Sequence, residues 1–275
     1  MRNISASLRL AGFVLVSLIA MLLQAVALAL RSQASRRIPH HYFRLVARIL
    51  RMRVTLEGAR PTNGPALIAA NHASWLDIVA FSALLPVVFV AKQEVASWPF
   101  FGTLSKLGQT IFINRESRHA TGRAKNQMKE ALAEGRLVIL FPEGTSSDGN
   151  RVLPFRSSLV GAAEEASGGG MPVIPATIAY CGLHGLPLPR SMRPRFAWFG
   201  DMPLVAHLWG VGKSGPFDVV IRFHEALDME KEGGRKALTR KAEATVRAGL
   251  QSLLTGRERS ANGSHIGQIA LGTEP

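Results

Sequence analysis

Cysteine is almost absent. Cys181 is the single one in 275 residues, so neither an intrachain disulfide nor a cysteine-built metal cluster can form, and a reducing, cytoplasmic setting is permitted. Acidic residues are scarce as well: 19 Asp and Glu face 33 Lys and Arg, a formal net charge of +14. Such a balance implies anionic company, whether nucleic acid, acidic lipid headgroups, or phosphorylated or acidic protein. No recognised nucleic-acid motif and no aromatic stacking platform accompanies the charge, which argues against nucleic acid as the partner. There is no internal repeat, and no Gly-x-Ser-x-Gly elbow of the kind that presents a hydrolase nucleophile. Charged residues are only 19% of the chain and hydrophobic ones 47%, a composition that suits one globular body joined to an apolar segment and not a many-helix transporter.

That apolar segment is Ala11 to Leu30, which holds no charged residue and only Ser17 and Gln24 as strongly polar ones. About 20 helical residues span roughly 30 Å, the thickness of a hydrocarbon core. An uncleaved anchor is expected; a signal peptide or an in-plane helix are the alternatives. Arg31, Arg36, Arg37, Arg44 and Arg48 follow it, against Arg2 and Arg9 before it, which places the remaining body on the cytoplasmic side. From Arg36 to Val54, Tyr42, Leu45, Val46 and Ile49 form an apolar stripe and Arg44, Arg48 and Arg51 a basic one. That pattern is either a basic helix lying on anionic lipid or an ordinary helix packed on the domain.

Beyond it, short apolar runs at Pro65 to Ala70, Val87 to Ala91, Thr110 to Ile113, Leu137 to Phe141, Val173 to Ile178 and Val219 to Phe223 read as strands, several hydrophobic throughout and so buried on both faces. Helical patterns alternate with them at Ser74 to Leu84, Arg118 to Ala133, Ser157 to Ser167 and Arg235 to Leu254. The expected fold is α/β: a central, mostly parallel or mixed sheet flanked by helices, with an N-terminal membrane-anchoring helix. Its parts are an anchor and basic helix over residues 1–55, a domain over 56–255 and a polar, flexible tail over 256–275.

Chemistry gathers where strands end. The strand before Asn71-His72-Ala73-Ser74-Trp75-Leu76-Asp77 leaves His72 in a loop and Asp77 in the first turns of a helix that Ser74 is placed to cap. A neutral imidazole can remove a hydroxyl proton as that oxygen attacks a carbonyl, and a carboxylate on the other ring nitrogen fixes the tautomer. A chance His-x4-Asp spacing at a helix start is the plain alternative. The run Leu137 to Ser147 ends its strand in Phe141-Pro142-Glu143-Gly144-Thr145-Ser146-Ser147. Gly144 permits a positive φ there, and Glu143 and Thr145 can bind hydroxyls or order the loop. Arg115, after Ile111-Phe112-Ile113-Asn114, offers a guanidinium fork for phosphate or carboxylate, or else a surface ion pair.

In four ordered blocks (Asn71 to Asp77, Ile111 to Arg115, Phe141 to Ser146, Val173 to Pro175) the chain resembles the glycerolipid acyltransferase family that includes lysophosphatidate acyltransferases. The resemblance covers about residues 50 to 225. It implies His72 as catalytic base, Asp77 as its partner, and Arg115, Glu143, Gly144 and Thr145 as acceptor-binding residues. Phe155-Arg156-Ser157-Ser158 stands where close relatives carry Phe-Lys-x-Gly, so Arg156 keeps the charge and joins the substrate-binding set. The resemblance implies transfer of a fatty acyl group from acyl-carrier protein or acyl-CoA to 1-acylglycerol-3-phosphate, without metal or bound cofactor, on the cytoplasmic face of a bacterial inner membrane, the enzyme being single-pass or monotopic there. Gly200-Asp201-Met202 and His207-Leu208-Trp209 look similar to a subgroup that acylates lyso-ornithine lipid, an acceptor with a carboxylate and an amine in place of phosphate. Two rivals stand beside this reading: an acyl-enzyme on Ser74 or Ser146, and a non-catalytic membrane lipid-binding protein that needs neither His72 nor Asp77.

Overall fold

The structure is a computed structural model describing residues 2–61, 64–113, 118–161 and 171–256. Arg115, the tail beyond Gly256 and the larger part of the helix expected at Ser157 to Ser167 lie outside those residues; residues 157–161 are helical. The helices are α1 (Arg2–Ala29), α2 (Ala34–Ile49), α3 (Leu76–Leu84), α4 (Phe101–Leu107), α5 (Arg118–Ala133), α6 (Leu204–Lys213) and α7 (Arg235–Thr255). The strands are β1 (Met52–Glu57), β2 (Ala66–Ala70), β3 (Val87–Lys92), β4 (Ile111–Ile113), β5 (Leu137–Leu140), β6 (Val173–Leu183), β7 (Leu186–Pro187) and β8 (Phe217–Phe223).

They form one eight-stranded sheet in the order β1-β8-β6-β2-β5-β3-β4, with β7 on the side of β6. Every pairing from β6 to β4 is parallel, while β8 runs against β6 and carries β1 parallel to itself. The sheet is therefore mixed and mostly parallel, as its uninterrupted apolar strands lead one to expect.

Successive side chains of a strand point to opposite faces, and the two cores follow that rule. Ala66, Ile68 and Ala70 of β2, with Leu137 and Ile139 of β5, pack beneath α2 and α3 alongside Leu50, Leu76 and Phe81. Leu67 and Ala69, with Val138 and Leu140, pack against Met128 of α5 and Leu238 and Val246 of α7. All five residues of β2 are buried, so no polar side chain can enter this strand until it ends.

The basic helix stops earlier than its pattern suggests. Leu50 closes α2, Arg51 takes a left-handed φ of 58°, and Met52 opens β1, which crosses the expected boundary at residue 55 and joins the sheet. Helix α2 buries Tyr42, Val46 and Ala47, whereas Leu45 of the expected stripe is exposed.

Helix α1 lies against the body over most of its length. Ala6, Phe13, Ser17, Gln24 and Ala27 are buried and recur at heptad-like spacing along one face. Arg9 donates to the carbonyls of Gly212 and Ser214 at the end of α6 (2.8 and 2.9 Å). Some 15 residues on, roughly 22 Å along the axis, Gln24 donates to Ser35 O and to Leu107 O at the end of α4 (2.9 Å each). Ser17 bonds to the hydroxyl of Tyr42 at 2.8 Å. The two polar residues between Ala11 and Leu30 thus both face protein. The outward face presents Val14, Leu15, Leu18, Ile19, Leu22, Leu23 and Val26, the reverse of a soluble surface helix.

Candidate active site

Register brings two motifs together. In the parallel β2/β5 pair Ala69 stands beside Leu140, so counting three residues on from each of these partners leads to His72 and Glu143. The His72 N–H donates to Glu143 Oε1 at 3.0 Å, and Ser147 N–H donates to His72 O at 2.8 Å. On its other flank Asn71 exchanges two hydrogen bonds with the backbone of Ile178 on β6 (2.9 and 2.8 Å). The histidine loop is thus fixed from both neighbouring strands.

His72 Nδ1 lies 2.8 Å from Asp77 Oδ2, which also accepts the N–H groups of Ala73 (2.7 Å) and Ser74 (3.0 Å). Asp77 is fully buried. With two backbone donors on the same oxygen the carboxylate acts as acceptor, so Nδ1 carries the proton and Nε2 is left with its lone pair. The pair can meet because His72 precedes the helix. Helix α3 begins at Leu76 with Trp75 at its N-cap position and no side-chain cap there. The expected capping role of Ser74 is therefore corrected: its hydroxyl makes no cap bond, and Asp77 reaches back to the N–H groups of Ala73 and Ser74 in the loop ahead of the helix. The imidazole stacks on Phe141, centroids 4.1 Å apart and planes 16° from parallel.

His72 opens onto a cavity of about 450 Å³ walled mainly by apolar groups. Phe13, Tyr42, Phe43, Phe89, Phe101 and Leu104 draw it toward α1, α2 and α4, and Gly144, Thr145 and Ser146 line it near the histidine. Gly144 has the positive φ, 71°, expected of it. Ile113, at the end of β4, also lines it; Arg115 lies two residues beyond.

Two residues expected to bind substrate are not among those that line this cavity. Glu143 is 2% exposed and is not among the cavity-lining residues; its carboxyl lies beneath the loop, holding the His72 N–H, so of the two roles open to it the geometry gives loop ordering. Burial pushes its pKa up to about 8, outweighing the backbone N–H groups of His72 and Leu153 that favour the anion. Arg156 is exposed and also outside the lining; its N–H closes on Pro142 O at 2.9 Å.

The sequence gives no sign of the contacts made by three contributors, although Gly200 to Met202 and His207 stand out in it by resemblance. Tyr180, fully buried in β6, donates its hydroxyl to Asp77 Oδ1 at 2.6 Å. Residues 196–203 form a loop pinned to both motifs: Trp198 N–H donates to Ala73 O (2.7 Å), and the Ser146 hydroxyl donates to Trp198 O. Trp75 Nε1 donates to Nδ1 of His207 on α6 at 2.9 Å, and burial pushes the His207 pKa down, keeping that nitrogen free to accept. None of these has a local sequence signal, since each partner lies more than 50 residues away.

The family model described as Acyltransferase matches residues 51–179. The chain is 42% identical over 252 residues to a lyso-ornithine lipid O-acyltransferase of Rhizobium meliloti, covering 90% of this chain and 86% of the relative. It is 36% identical over 199 residues to a 1-acyl-sn-glycerol-3-phosphate acyltransferase of Neisseria gonorrhoeae, covering 71% and 74%. The crystal structure of a 1-acyl-sn-glycerophosphate acyltransferase from Thermotoga maritima shares the fold, with a TM-score of 0.63 at 22% identity over 96% of this chain and all of that one.

Proposed function

Since the chain belongs to the acyltransferase family that holds lyso-ornithine lipid and 1-acylglycerol-3-phosphate acyltransferases, we propose that it moves a fatty acyl group from a thioester to the hydroxyl of lyso-ornithine lipid. The observation that carries the reaction is the buried Asp77 holding His72 Nδ1 at the mouth of an apolar cavity. Support for the acceptor is the higher identity, over more of the chain, to the lyso-ornithine lipid enzyme. Lysophosphatidate is the second acceptor, favoured by the Neisseria relative.

In this reading the acceptor oxygen attacks the thioester carbonyl while His72 Nε2 takes its proton; Asp77 stabilises the imidazolium that forms. The new ester C–O bond forms, the C–S bond breaks, and the proton passes to the departing sulfur. The donor is acyl-carrier protein or acyl-CoA, and the scheme calls for no metal or bound cofactor. Two features argue for direct transfer without an acyl-enzyme: the Ser74 hydroxyl is fully buried, and that of Ser146 is committed to Trp198 O. The apolar cavity suits the acyl chain, and Arg115, Gly144 and Thr145 are assigned to the acceptor. Helix α1 lies in the plane of the membrane with its apolar face in lipid and the body on the cytoplasmic side.

The test is acyl transfer by the purified protein in detergent with each acceptor. His72→Ala should lower kcat by about a hundredfold or more, the scale of general-base catalysis. Binding of lysolipid with no His72-dependent product would return the protein to the non-catalytic lipid-binding class.

A further inference from the structure

Only two side chains of fixed charge, Lys92 and Asp201, occur among the described residues that line the cavity. Both are exposed, and neither side chain has an ion-pair or hydrogen-bond partner among the described residues. They come from separate parts of the chain, the end of β3 and the loop before α6, yet their segments meet. Trp98 and Trp198 pack edge to face with centroids 5.6 Å apart and planes at 84°.

The loop bearing Asp201 is built to hold it. Trp198 is bonded through its backbone to Ala73, beside the catalytic histidine, and to Ser146 of the second motif. Its indole N–H donates to Met202 O at 2.8 Å, and Gly200 turns the chain between them with a φ of 61°. Asp201 is thereby bracketed on both sides by a residue anchored to the active site. A carboxylate so placed opposes a phosphate approaching the same mouth, while it gains a charge-assisted hydrogen bond from an ammonium.

We propose that Asp201 is the subsite for the ammonium group of a zwitterionic, amino-acid-headed lysolipid, whose carboxylate is met by the cationic side of the mouth at Lys92. The proposal rests on the acceptor assignment above and adds the residue that makes it selective. Asp201 takes no part in proton transfer; it discriminates between headgroups.

The experiment measures KM and kcat of the purified full-length protein in detergent, with one acyl thioester donor and three acceptors: lyso-ornithine lipid, the same lipid with its free amine acetylated, and lysophosphatidate. Asp201→Asn should raise KM for lyso-ornithine lipid about five- to tenfold with kcat nearly unchanged. KM for lysophosphatidate should stay level or fall, and Asp201→Glu should recover part of the loss. Acetylating the amine should produce the same rise in the wild-type protein, and Asp201→Asn should add nothing to it, as expected when one interaction has been removed from both sides. If the wild-type protein acylates lyso-ornithine lipid but Asp201→Asn alters its KM no more than that of the acetylated lipid, the subsite is wrong while the acceptor reading stands. If the wild-type protein makes no product from lyso-ornithine lipid, the acceptor reading falls and takes this subsite with it.

Discussion

Tyr180 donates its hydroxyl to Asp77 Oδ1 at 2.6 Å, on the opposite oxygen from the one that holds His72. The phenol is fully buried, and burial, followed by the charge of Asp77, pushes its pKa well above the usual tyrosine range, so it remains a donor. Both oxygens of a carboxylate with no solvent contact are thereby satisfied, and its plane is fixed relative to the imidazole.

Tyr180→Phe tests whether that fixing matters for rate. The substitution keeps the ring packed on Phe196, centroids 6.0 Å apart, and removes one buried bond to a charged group, a loss of about 1.5 to 3 kcal/mol in stability. Lower kcat, by about three- to thirtyfold, with KM unchanged is the expected result, because the imidazole would sample poorer orientations once its partner is freed. Lowered stability with full kcat would reduce Tyr180 to a packing residue.

Glu143 links the site to pH through stability. Its folded pKa of about 8 lies above the ordinary 4.5. Between those values the unfolded chain has lost a proton that the folded chain keeps, so stability falls as pH rises through the window. Glutamine keeps a side-chain oxygen for the His72 N–H and never ionises. Glu143→Gln should match the wild-type protein near pH 4.5 and exceed it at pH 8 by on the order of 2 to 4 kcal/mol, read from denaturant unfolding at the two values. Parallel pH profiles for the two proteins would mean that Glu143 titrates normally.

How far the sequence reveals such a site depends on whether its parts are neighbours in the chain. The His72 and Phe141-to-Ser146 blocks each sit in one strand-end loop, and the alternation of buried strands and helices was enough to put both loops on one sheet. Tyr180 and Trp198 have no such signal: β6 reads as one more apolar strand, and only its register beside β2 points the phenol at Asp77. Helix α6 and strand β1 were missed for related reasons. Helix α6 is a short, largely apolar run following proline, and β1 begins inside the helical pattern read from Arg36 to Val54, at the point where Arg51 turns the backbone. For Glu143 the sequence leaves two roles open, hydroxyl binding or loop ordering, and only its burial and its bond to the His72 N–H bring out the second.

The orientation of α1 gives the last prediction. Composition allows the helix to span, but Arg9 and Gln24 tie it to α6 and α4 at points about 22 Å apart along its axis. A spanning α1 would have to draw those elements into the bilayer or break the bonds, leaving an arginine unpaired in hydrocarbon. An in-plane helix keeps every one of them and still buries the outward leucines and valines in lipid. Its two ends then lie on one side of the membrane. With Cys181→Ser as background, Asn3→Cys and Gln33→Cys, both exposed, should each escape a membrane-impermeant maleimide in intact cells and react after lysis. Labelling of Asn3→Cys alone in intact cells would establish a spanning helix and require the contacts of Arg9 to be remade.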